Sequence, residues 1–110
     1  DWPFHGRDMV ARLSELPVGE SAYEYGESWV RLDPDKPAFT VKSNHGGSAV
    51  HPWLPRALSV REMARLQSFP DTFRFLGGVT AQRRQVGNAV PPLMAKHIGV
   101  ALRTVLEEIL

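Results

Sequence analysis

Apolar residues fall at helical spacing in some stretches of this chain and lose all period in others. In residues 8–16, Met9, Val10, Leu13 and Leu16 share one face, which predicts a short amphipathic helix with Asp8 as its N-cap. Pro17 and Gly19 end it. Residues 20–35 are mixed and aromatic, with Tyr23, Tyr25 and Trp29, and assign themselves to no element. Residues 38–42 (Ala-Phe-Thr-Val-Lys) predict a short strand on β-propensity, and residues 43–47 a loop on their turn residues. Ala49-Val50-His51 predicts a second short strand that stops at Pro52.

The clearest local signal begins at Leu58. Ser59-Val60-Arg61-Glu62 has the spacing of a capping box, and Leu58 and Met63 occupy the two positions of a hydrophobic staple. A helix is expected over 60–68, ended by Phe69-Pro70-Asp71. Phe69, Phe73 and Phe75 are spaced to pack as an aromatic knot before a turn at Gly77-Gly78. Thr80 is the expected cap of a short helix over 81–85, and Gly87-Asn88-Ala89-Val90 reads as a joint. Pro91-Pro92 then opens a long helix over 90–109, which is ~30 Å of helix. Met94, Ile98, Ala101, Leu102, Val105 and Ile109 make one apolar stripe along it. So long a stripe needs more partner surface than a chain of 110 residues readily supplies.

Composition removes several classes of function. Hydrophobic content of 43% and charged content of 23% are those of a globular domain. Cysteine is absent, which excludes disulfides, thiolate metal sites and a thiol nucleophile within this chain. No apolar run approaches the roughly 20 residues of a membrane span. The start, Asp1-Trp2-Pro3-Phe4-His5, has no secretory pattern and no initiator Met, so the chain reads as processed or cut from something larger. His45 and His51 stand six apart without an acid at ligand spacing, so no metal site is expected.

The net charge of +1 conceals an asymmetry. Residues 1–35 carry −5, residues 36–103 carry +8, and Glu107 and Glu108 restore the total. Ten of the thirteen basic residues are Arg, whose planar fork suits phosphates and guanine edges. A polyanion is therefore one candidate partner for the second half, and a solvated basic face is the alternative.

Pattern reading alone reaches a small α+β domain with a basic half. Two longer motifs go further. Pro55-Arg56-Ala57-Leu58-Ser59-Val60-Arg61-Glu62-Met63-Ala64-Arg65-Leu66-Gln67-Ser68-Phe69-Pro70-Asp71 resembles motif IX of the cytosine-5 DNA methyltransferases, and Gln85-Val86-Gly87-Asn88-Ala89-Val90-Pro91-Pro92 resembles motif X. They stand in the family's order. Residues 31–41 resemble the segment that closes the target-recognition region. The resemblance implies an α+β piece of a larger methyltransferase fold, with part of the recognition region in 1–54 and a helical segment in 55–110. It also shows what is absent: the Pro-Cys nucleophile, the Glu-Asn-Val segment and the glycine-rich first motif are not in this sequence.

Roles follow from that resemblance. Asn88 and Ala89 would help hold the methionine end of S-adenosylmethionine, with the helix start offering free amides to its carboxylate. Asn88 has a plainer reading as the N-cap of the last helix, and Gly87 as a residue supplying a permissive backbone angle. Arg56 would organise the recognition region through backbone or carboxylate partners. Lys42, Ser43, Asn44, His45, Gly46 and Gly47 form the expected DNA-facing loop, with an ordinary connection as the alternative. Arg61, Arg65, Arg83 and Arg84 divide between phosphate contacts and solvated helix faces, and Trp2, Trp29 and Trp53 are expected to pack. The implied partners are double-stranded DNA and a catalytic amino-terminal part, in the cytoplasm of a prokaryote, with no membrane. The competing readings are a non-enzymatic DNA-binding remnant and a protein-interaction module using the apolar stripe.

Overall fold

The computed structural model describes residues 6–24, 27–43 and 49–110. Its first helix, α1 (Arg7–Glu15), turns Met9 and Leu13 inward. Its N-cap is Gly6, with no side-chain bond, so Asp8 lies inside the first turn rather than capping it. A hairpin follows: β1 (Ser21–Glu24) pairs antiparallel with β2 (Glu27–Arg31), Ser21 opposite Val30. β2 then pairs in parallel with the two-residue β3 (Ala49–Val50), giving the sheet order β1-β2-β3. Val50 also bridges Ala57, and the His51 amide donates to the Arg56 carbonyl at 2.8 Å, which folds residues 51–56 into a closed turn.

α2 (Val60–Leu66) starts on the expected capping box. The Glu62 amide donates to Ser59 Oγ at 3.2 Å, and the Ser59 amide donates to Glu62 Oε2 at 2.8 Å. α3 (Val79–Asn88) begins one residue after Gly78, before Thr80, and runs through the residues read as a joint. The joint itself is shorter, Ala89 to Pro91, before α4 (Pro92–Ile109). The strand expected over 38–42 does not form. That segment has no ladder partner among the described residues, and β2 pairs with β1 on one side and β3 on the other.

Two apolar clusters hold the chain together. Met9, Leu13, Leu16, Trp29, Val50 and Ala57 form one, and Leu32, Leu58, Met63, Ala64 and Val86 form the other. Both draw residues from either side of position 55. Phe69, Phe73 and Phe75 pack as the expected knot, with ring centroids 4.9–5.0 Å apart. Trp29 packs in the core, whereas Trp53, contrary to expectation, is 72% exposed on the turn at 51–56, where its ring lies edge-on to that of His51. The α+β class with a long last helix is what the structure has. No residue of α4 is buried, and no described helix is long and apolar enough to cross a membrane.

Candidate functional site

The site is built around the joint between α3 and α4, and α2 organises it. Gln67, just past the end of α2, donates from Nε2 to the carbonyls of Val86 at 3.1 Å and Ala89 at 3.4 Å. Those carbonyls lie at the end of α3, where that of Val86 also accepts the Ala89 amide at 3.3 Å. The next residue, Ser68, accepts from the Leu93 amide at 3.1 Å on its Oγ. It does so from a left-handed backbone, φ 66°, rare for a residue with a side chain. Two adjacent residues thus close one helix end and open the next. This arrangement corrects two expectations. Asn88 is the last residue of α3, not the cap of α4, whose cap position is Pro91. The start of α4 is also no array of free amides: Pro91 and Pro92 have none, and that of Leu93 is engaged by Ser68.

Gly87 lies within helical α3 and has no positive φ, so its backbone needs no special freedom. Its requirement is steric. A Cβ there would stand 2.4 Å from the Ser43 amide nitrogen and 2.5 Å from the Lys42 carbonyl carbon. The main chain at Lys42 and Ser43 therefore sits directly on α3. Immediately before it, residues 37–41 form one wall of a cleft of about 600 Å³, faced by Leu66, Gln67, Gly87, Ala89 and Pro91. Ala89 lines this cleft. Asn88 does not; its side chain is exposed beside it. Lys42 and Ser43 are exposed, and Asn44, His45, Gly46 and Gly47 lie outside the described residues.

Below the joint, Arg56 grips Glu62 with both nitrogens, Nη1 to Oε2 and Nη2 to Oε1, each at 2.9 Å, and Nη1 also donates to the Ala57 carbonyl at 3.0 Å. The Arg56 hydrogen bonds, with the Ser59 amide, hold the Glu62 carboxyl at about 2, against an opposing push from burial. His51 approaches Glu62 at 3.8 Å through Nε2, while its Nδ1 accepts the Trp53 and Leu54 amides, each at 3.2 Å. Burial lowers the His51 pKa, against the pull of Glu62, so the ring serves as a neutral acceptor.

Two further arginines are interior, which charge counting missed. Arg31 donates to the carbonyls of Leu13, Leu16 (2.5 Å), His51 (2.5 Å) and Leu54 (3.2 Å). It joins the end of α1 to the turn at 51–54, and burial lowers its pKa. Arg83, expected at a phosphate or on a solvated face, is buried instead. It donates to the Leu58 carbonyl at 2.8 Å and contacts Met63 Sδ at 3.4 Å, because α3 packs that face on α2. Arg61 donates to the Pro70 and Phe73 carbonyls, and Arg65 pairs with Asp71. No group of three or more potential metal ligands occurs among the described residues.

The family model for C-5 cytosine-specific DNA methylase matches residues 8–104. The chain is 38% identical to the DNA (cytosine-5-)-methyltransferase M.ApeKI of Aeropyrum pernix, covering 97% of this chain and 26% of that protein. It is 47% identical to the type II methyltransferase M.Sau96I of Staphylococcus aureus, covering 86% of this chain and 24% of that one. A solved structure of an Escherichia coli prophage-encoded DNA modification methyltransferase superposes with a TM-score of 0.82 at 34% identity, covering 96% of this chain and 28% of that one. The chain spans about a quarter of the length of each of these proteins.

Proposed function

This chain belongs to the C-5 cytosine-specific DNA methylase family, and from that premise we propose that it recognises duplex DNA and completes the S-adenosylmethionine site of a DNA (cytosine-5-)-methyltransferase. Methyl transfer to cytosine carbon 5 then requires a catalytic portion that carries the thiolate, since this sequence has no Cys. One observation carries the reading. α4 is an 18-residue helix with no buried residue, yet Met94, Ile98, Leu102, Val105 and Ile109 form an apolar face. A face of that kind is stable in water only against another body, and the relatives have three-quarters of their length to provide one.

In this reading residues 1–54 belong to the recognition region and residues 55–110 to the helical segment. The division is one of function, since both cores cross it. Lys42, Ser43 and residues 44–47 face DNA. Asn88 and Ala89 border the cofactor, which supplies the methyl group when bound. The residues present fit such a group on one side: Ala89 lines the cleft with only a methyl group, and the exposed Asn88 side-chain amide has no hydrogen-bond partner among the described residues. The protein works in the prokaryotic cytoplasm, at DNA. To test this, the chain is assayed for transfer of labelled methyl from S-adenosylmethionine to duplex DNA, alone and with a catalytic amino-terminal portion. Transfer is expected only from the pair. Activity of the chain alone, or failure of the two portions to associate, would refute the proposal.

A further inference from the structure

Glycine weakens a helix interior, so a glycine inside α3 calls for a reason. At Gly87 the reason is the main chain of another segment, met at 2.4–2.5 Å by any added Cβ. Ordinary contact begins near 3.4 Å. The colliding atoms are backbone, so no side-chain rotation relieves the clash. Either α3 or the segment must move.

That segment has two ends with different neighbours. Its first part, residues 37–41, walls the cleft that Gly87, Ala89 and Pro91 face. Its last described residues, Lys42 and Ser43, begin the stretch assigned above to DNA. It has no strand partner among the described residues, and it rests on α3 at Gly87 through Lys42 and Ser43. Gln67 fixes the other side of the same joint through the Val86 and Ala89 carbonyls.

We infer that Gly87 is a positioning residue that seats the Lys42 and Ser43 backbone on α3 and so ties the DNA-facing segment to the cleft wall. This rests on the methyltransferase reading given above. DNA and S-adenosylmethionine each bias one end of a single strip of chain. The coupling between them is reciprocal, as any coupling of two binding equilibria must be.

The test compares Gly87→Ala with Gly78→Ala in the protein that carries both this chain and the catalytic portion. Gly78 stands at the other end of the same helix, where an added Cβ meets nothing within 4 Å and φ is −71°. S-adenosylmethionine binding is measured by calorimetry, duplex binding by fluorescence anisotropy, and folding by circular dichroism. Gly87→Ala, while still folded, is expected to weaken both ligands and to lower kcat/KM about 100-fold, the scale of an ångström-sized misplacement. Gly78→Ala is expected to leave both affinities unchanged. A folded Gly87→Ala protein with unaltered affinities overturns the inference. Failure of the unaltered protein to bind either ligand overturns the methyltransferase reading itself. If Gly87→Ala does not fold, hydrogen exchange of the unaltered protein decides. S-adenosylmethionine should slow the Ser43 amide and duplex DNA should slow the Gly87 amide; absence of both effects overturns the coupling.

Discussion

Arg31, Arg56 and Arg83 hold the fold from within. Each places a guanidinium where main-chain carbonyls or a carboxylate would otherwise be short of donors. For Arg31 the number of acceptors matters: four carbonyls from two segments converge on one side chain. An ammonium has a single nitrogen and cannot span them, so Arg31→Lys is expected to cost about 3 kcal/mol, from buried carbonyls left unpaired. Chemical denaturation measures it; a loss within experimental error would mean water replaces the lost donors. The Glu62 carboxyl is the opposite case, a titrating group held from about 4.5 down to about 2 by Arg56 first and the Ser59 amide after it. A depressed carboxyl contributes stability that is complete above its unfolded value of 4.5 and disappears as pH falls toward 2. Glu62→Gln should therefore lose about 2 kcal/mol at neutral pH and flatten the acid limb of the stability profile between those values. An acid limb unchanged by the substitution would place the titrating group elsewhere.

The element scale turns on how helices end. α4 has no cap of its own, since Pro91 offers no side-chain acceptor, and Ser68 supplies one from the far side of α3. The left-handed backbone of Ser68 belongs to the turn that ends α2, where the Ser68 amide donates to the Arg65 carbonyl and the Phe69 amide to the Ala64 carbonyl. Ser68→Ala loses the cap and keeps the strain, whereas Ser68→Gly loses the cap and relieves it. The alanine variant is thus expected to be less stable than the glycine variant by about 1 kcal/mol, read as a difference in Tm. Equal melting would mean that the backbone relaxes at no cost. The sequence made α2 legible because a capping box is a local device, four residues long and self-contained. It made α4 and the phenylalanine knot legible for the same reason of short spacing. The hairpin β1-β2 was not legible, since Ser21 to Glu24 and Glu27 to Arg31 carry no clean alternation. The strand expected over 38–42 failed in the other direction: its β-propensity is real, but tertiary packing on Gly87 replaced pairing. The capping of one helix by residues about twenty positions away has no sequence signature at all. The joint read at 87–90 falls at 89–91, because Gly87 and Asn88 continue α3, and their placement depends on geometry that spacing does not encode.

At the scale of the whole molecule, shape and charge both point outward. The radius of gyration is 16.8 Å and the extents are 61 × 31 × 25 Å, against about 13 Å for a compact chain near this length. α4 accounts for the excess by extending without burying a residue. The basic half of the sequence contracts in the opposite sense once partners are assigned. Arg56, Arg61, Arg65, Arg83 and Arg103 hold internal hydrogen bonds, and Lys36 lies 3.9 Å from Asp33. Between residues 36 and 103 this leaves Lys42, Arg74, Arg84 and Lys96 without such a bond among the described residues. These four have every head-group donor free of such bonds for a phosphate. Of them, Lys42 alone belongs to the segment seated on Gly87. Duplex affinity of the assembled enzyme should fall with salt, and Lys42→Ala should reduce the slope of log K against log salt by about 0.9, one phosphate contact. Arg83→Ala should lower Tm and leave that slope alone, because its guanidinium already binds the Leu58 carbonyl. A slope unchanged by Lys42→Ala would remove Lys42 from the DNA interface, and with it the described part of the segment that the proposed coupling needs.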